Sequence, residues 1–260
     1  MNDFTRARAR RRAAYLLPSV FTIGNILLGF FAIVLALRGR FWIAAVSIMV
    51  AGVVDTLDGR LARLLGTESD FGREFDSLAD VLTFGLSPAL VAHLWGIDAF
   101  PRIGWLVPLF YVVCCATRLA RFNVQTGRID SRWFVGLPSP AAAGGVASFI
   151  LFTPDPGGSM PLLAAMVGAL SILGALMVSN FRYWSFKSID LRKPRTYRVA
   201  LPLAAGVVLL AFYPEAFLPA LAAVYASSGP LQWVARRFRL SRDAGTPTPP
   251  PKAPAGDATS

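Results

Sequence analysis

Long apolar runs follow one another along the chain, broken only by short polar or charged stretches. They lie at about residues 16–37, 41–57, 77–95, 103–120, 137–152, 161–179, 199–213 and 217–234. A helix needs roughly 20 such residues to cross a hydrocarbon core about 30 Å thick. Barrel strands would alternate apolar and polar positions, and these runs do not. The pattern therefore predicts an all-α integral membrane protein of eight transmembrane helices. Pro202, Pro214 and Pro219 make the last two the least regular. The chain divides accordingly into a basic N-terminus (1–15), a transmembrane core (16–190), additional C-terminal helices (191–235) and a basic, Pro-rich tail (236–260), which is expected to be disordered.

Composition agrees. The 260 residues are 55% hydrophobic and only 16% charged, against about 25% charged in soluble domains. The net charge of +11 would suggest nucleic acid in a soluble protein. Here the cations sit between the spans, and no nucleic-acid partner is expected. Arg6, Arg8, Arg10, Arg11 and Arg12 precede the first run, which is long for a signal peptide and reads as a retained helix. With both termini inside, Arg38, Arg40 and Arg102 fall outside and the other basic residues fall at cytoplasmic ends, as the positive-inside bias requires. The expected location is the inner membrane, with the active site facing the cytoplasm. Cys114 and Cys115 are adjacent in an apolar run and match no metal spacing, so packing is their expected role. His93 has no partner histidine.

Seven of the 15 acidic residues lie between Asp55 and Asp80. Asp55 and Asp58 end the second span three residues apart; Asp76 and Asp80 begin the third four apart. Each pair shares a helix face, and Gly59, Gly66 and Gly72 let the intervening chain turn. Four converging carboxylates at a membrane boundary would repel and resist desolvation unless divalent cations neutralised them. All-oxygen ligands suit Mg²⁺, Mn²⁺ or Ca²⁺, and paired metals suit phosphoryl transfer. A solvated acidic loop would account for Glu68, Asp70 and Glu74 but not for Asp55 within an apolar run. An ion path would use the same acids, making a cation transporter the rival from another class.

Asp55-x-x-Asp58-Gly59-x-x-Ala62-Arg63, then eight residues, Gly72, three residues, Asp76, three residues and Asp80 matches a signature at every fixed position. The chain thereby resembles the CDP-alcohol phosphotransferases. The resemblance implies a six-helix core, usually a homodimer, with two metal ions held by Asp55, Asp58, Asp76 and Asp80. It implies Asp80 as the general base. Gly59 and Ala62 would admit the cytidine nucleotide, Arg63 would pair with its pyrophosphate, and Ser69 and Gly72 would lie beside it. Residues 71–89, Arg118-Leu-Ala-Arg121-Phe-Asn123 and Gly136-Leu-Pro-Ser-Pro-Ala-Ala-Ala resemble the membrane-type phosphatidylserine synthases of prokaryotes, with Thr83 where serine is expected.

That resemblance implies transfer of a phosphatidyl group from CDP-diacylglycerol to L-serine, releasing CMP. The rival acceptors are glycerol phosphate and inositol phosphate. Serine's carboxylate needs a cation. Arg118 and Arg121 share a helix face and either supply it or anchor the helix to the cytoplasmic side. Asn123 contacts the acceptor or caps its helix, and Arg182 or Lys187 binds a phosphate or carboxylate or belongs to an interfacial belt. The small residues of 136–145 pack helices or line the substrate groove. Thr22 and Asn25, polar within the first span, are expected to face the protein interior.

Overall fold

A computed structural model describes the backbone of residues 3–65, 70–125, 133–184 and 212–243, with 206 and 209; side chains are described for 20–57, 71–125, 135–181, 183, 206, 209, 212–213 and 215–234. The architecture is helical, as the apolar runs predict. α1 (Asp3–Leu37) turns at Gly39 into α2 (Phe41–Leu65). α3 (Asp70–Asp80) passes directly into a π-helical segment, Val81–Leu86, and then α4 (Ser87–Trp95). After a 3₁₀ turn (Ile97–Ala99) come α5 (Ile103–Gln125), α6 (Ser139–Phe152), α7 (Met160–Val178) and α8 (Pro214–Asp243). Prolines occupy the first turns of α4, α6 and α7, where the missing N–H costs nothing.

Among the described residues, four helices or helix runs are long and apolar enough to cross a membrane: Val20–Leu37, Phe71–Trp95, Ile103–Gln125 and Met160–Val178. Phe41–Leu57 and Ser139–Phe152 are shorter apolar helices beside them. These six correspond to the first six expected spans. The seventh expected span lies almost wholly outside the described residues; the eighth falls within α8. α8 also continues to Asp243, into the segment expected to be disordered.

Small residues hold the bundle together. Ala32, Ala44, Ala45, Ala51, Ala142 and Ala147 are completely buried where α1 packs on α2 and α2 on α6. Lipid tails are as apolar as Leu, so helices gain by close backbone approach rather than by hiding large side chains. Many large apolar residues point outward: Phe30, Phe31, Trp105 and Phe110 are exposed, though Phe84, Trp95 and Tyr111 are buried. Such a surface belongs in lipid, not water. Cys114 and Cys115 are free and buried, and Cys115 packs against Gly85.

One feature departs from an all-helical chain. β1 (Trp133–Val135) and β2 (Arg182–Trp184) form a short antiparallel ribbon, with Phe134 opposite Tyr183. Tyr183 is buried, donates its hydroxyl to the Ala226 carbonyl at 3.0 Å, and so fastens the ribbon to α8.

Candidate active site

The acidic residues of α2 and α3 meet. One carboxylate oxygen from each of Asp55, Asp76 and Asp80 lies within 4.8 Å of the others. The single helical turn between Asp76 and Asp80 aims both at α2. Asp80 is only 9% exposed, and its Oδ1 has no hydrogen-bond partner. Arg118, reaching in from α5, interacts with it electrostatically. Three acids this close, one of them buried with an unsatisfied oxygen, are costly unless a cation joins them. Oxygen-only donors at this spacing fit a hard divalent ion.

Asp58 lies one turn beyond Asp55 on α2, as expected, but its side chain is outside the described residues; so are those of Ala62 and Arg63. Gly59 is helical, as is Gly72 in α3. Neither Gly59 nor Gly72 therefore makes the turn between the two acidic pairs, and Gly66 lies outside the described residues. Ser69 and Lys187 lie outside the described residues.

Hydrogen bonds fix α3 and the helical segments that continue it. Asn123 donates through Nδ2 to Ser77 Oγ at 3.0 Å and to Glu74 Oε2 at 3.2 Å, which ties the end of α5 to the helix carrying Asp76 and Asp80. Thr83 donates to the Asn25 carbonyl at 3.1 Å, and Ser87 donates to the Gly29 carbonyl. The π segment and α1 approach so closely there that a Cβ on Gly29 would lie 3.0 Å from the Thr83 Cα. Tyr111 of α5 donates to the Phe84 carbonyl. Thr83, with its hydroxyl in place of the expected serine's, thus has a positional role. Thr22 and Asn25 are buried, as expected, and neither side-chain amide atom of Asn25 has a partner.

The two arginines of α5, expected to act together, differ. Arg118 is 7% exposed and donates through Nη1 to Ser139 Oγ at 2.8 Å, at the first residue of α6. Arg121 instead spreads its guanidinium over the carbonyls of Val135, Met177, Val178 and Ser179 and the Asn180 side chain. Its donors clamp the ends of α5, α7 and the ribbon. Gly136, at φ +82°, makes room for this: a Cβ would lie 2.3 Å from the Met177 carbonyl oxygen and 2.6 Å from Arg121 Nη2. Asn123 is likewise held by α3. Ser139, which in the sequence belongs to the small-residue stretch and to the Gly136-Leu-Pro-Ser-Pro block, gains a specific partner only in the structure, as the acceptor for the buried Arg118.

Comparison with known proteins agrees with this geometry. Residues 15–179 match the family model described as CDP-alcohol phosphatidyltransferase. The chain is 41% identical over 179 residues to the CDP-diacylglycerol–serine O-phosphatidyltransferase of Helicobacter pylori, covering 67% of this chain and 74% of that one. It is 37% identical over 172 residues to the Bacillus subtilis protein of the same name, covering 66% and 91%. An archaetidylserine synthase from Methanothermobacter thermautotrophicus is 36% identical over 169 residues, covering 64% and 69%. The matched span contains α2, α3 and the three meeting carboxylates, and the chain belongs to the CDP-alcohol phosphatidyltransferase family.

Proposed function

We propose that the chain transfers the phosphatidyl group of CDP-diacylglycerol to the hydroxyl of L-serine, giving phosphatidylserine and CMP. The observation that carries this reading is the meeting of Asp55, Asp76 and Asp80 beside the buried Arg118. Metal-binding acids serve a diphosphate, and a desolvated guanidinium serves a carboxylate. The relatives' names supply the donor and acceptor.

Asp55, Asp76 and Asp80, with Asp58 along α2, would hold two divalent ions, Mg²⁺ or Mn²⁺. Bound there, such ions supply charge neutralisation at the phosphate oxygens. Asp80 takes the proton from the serine hydroxyl; burial keeps its basic oxygen free of water. The serine oxygen forms its bond to the lipid-side phosphorus as the bond to CMP breaks. Arg63 pairs with the departing CMP phosphate, and Gly59, Ala62, Ser69 and Gly72 admit its nucleoside. Asn25 offers the nucleotide one donor and one acceptor that the protein itself leaves unused. Arg118, oriented by Ser139, binds serine's carboxylate. Arg121 and Asn123 are positioning residues, since their hydrogen bonds go to the protein. Much of the acceleration would come from holding the reactants in line.

The arginine-rich N-terminus supports placing both termini and the site at the cytoplasmic face of the inner membrane. The family resemblance carries the homodimer. Purified protein supplied with CDP-diacylglycerol, Mn²⁺ or Mg²⁺ and labelled serine should form labelled lipid and release CMP. Glycerol phosphate or inositol phosphate should not replace serine; equal use of either would overturn the acceptor assignment. Ion flux without CMP release would overturn the transferase reading.

A further inference from the structure

α8 lies wholly beyond residues 15–179, the span that the family model matches, yet it packs beside the site. Ala222, Tyr225, Ala226, Gly229 and Trp233 recur three or four residues apart, so they share one helix face. That face meets the bundle at every step. A Cβ on Gly145 of α6 would lie 3.9 Å from Ala222, the Tyr225 and Tyr183 rings are 5.6 Å apart, and Trp233 meets Phe181 edge to face at 6.0 Å. Gly229 is buried against the Tyr183 ring, which a Cβ would strike at 2.5 Å. Pro230 accounts for the hydrogen bond that fixes this docking. Having no N–H, it leaves the Ala226 carbonyl, four residues earlier, without its helical donor, and the Tyr183 hydroxyl takes that place at 3.0 Å. Held in this rotation, Tyr225 is half-buried and interacts electrostatically with Arg118.

We propose that Tyr225 is a second hydrogen-bond donor to the acceptor's carboxylate, so that α8 completes the acceptor pocket and sets its specificity. The inference rests on serine being the acceptor and on Arg118 binding its carboxylate. The Arg118 guanidinium sits over the Phe122 ring, 5.8 Å from its centroid, and spends one N–H on Ser139. A carboxylate accepts up to about four hydrogen bonds, more than the rest of one guanidinium edge supplies. An anion is the ligand to which a guanidinium and a phenol, side by side, can both donate. Arg121, the next cation along α5, is committed to backbone carbonyls. Arg118 and Tyr225 together therefore offer a single positive charge, which suits a carboxylate better than a phosphate dianion.

The test compares full-length wild type, Tyr225→Phe and Tyr225→Leu in nanodiscs, with Tyr213→Phe, at an exposed position, as control. Initial rates with labelled serine and CDP-diacylglycerol give kcat and a KM for each substrate. Tyr225→Phe keeps the ring against Tyr183 and loses only the hydroxyl. It should raise the serine KM by about tenfold while leaving kcat and the CDP-diacylglycerol KM within about threefold of wild type. Tyr225→Leu should raise the serine KM as well and also lower the melting temperature, because the ring contact is gone. Tyr213→Phe should match wild type. A serine KM within about twofold of wild type in the Phe variant would overturn the proposal. So would an equal rise in the KM of both substrates, the mark of a merely structural role. Should wild type use glycerol phosphate in place of serine, the proposed acceptor falls; should it use serine while Tyr225→Phe behaves identically, only the assignment of Tyr225 falls.

Discussion

Asp76 and Asp80 owe their meaning to company. Either alone at the start of a membrane helix is an ordinary acid; with Asp55 inside the same 4.8 Å they form a donor set. Asp76→Asn keeps the shape and removes one charge. Turnover should fall by about a thousandfold, while the protein elutes from a sizing column as wild type does. Retention of a tenth of the activity would sink the metal-site assignment. Asn25 makes a complementary case, because burial with both amide atoms unpaired costs the ligand-free protein stability. Asn25→Leu should stabilise that state by about 1–3 kcal/mol while weakening CMP binding, read by thermal melts with and without CMP and Mn²⁺. A melt unchanged by the substitution, with CMP binding intact, would remove Asn25 from the site. The sequence made these residues legible because helical spacing converts directly into a shared face. It left Ser139 hidden, since its pairing with Arg118 depends on how two helix ends 21 residues apart come to rest.

At the scale of elements, the ends of the helices needed the structure most. Arg121 reaches backbone carbonyls up to 58 residues away, and a carbonyl acceptor leaves no trace in residue identity. The same holds for the ribbon of β1 and β2, whose strands are three residues long and separated by two helices. Gly136 is where this clamp is most vulnerable. A methyl group there would strike the Met177 carbonyl and the Arg121 guanidinium, at a φ that side chains rarely adopt. Gly136→Ala should destabilise the protein by about 2 kcal/mol or more, seen as a lower melting temperature in detergent. An unshifted melt would show that the clamp contributes little. Apolar runs, by contrast, fixed the first six helices well, because length and hydropathy are set by the bilayer rather than by tertiary contacts.

For the whole molecule, the alternation of helices puts the turns at Arg38–Arg40 and Arg102 at one end and the aspartates toward the other. Both native cysteines are buried and supply little background for thiol labelling. In intact cells Arg102→Cys should react with a membrane-impermeant maleimide, whereas Arg73→Cys should react only after lysis. The reverse pattern would invert the proposed orientation. The π segment at Val81–Leu86 then carries a consequence for how tightly chain length is constrained. Upstream of it one rod presents carboxylates to α2; downstream the same rod leans Ser87 on α1. Each residue advances a helix by about 100°, so deleting a single residue there would swing the acids out of phase with their partners. Tolerance in this stretch should therefore extend to changes of side chain at exposed Leu82, but not to a change in the number of residues.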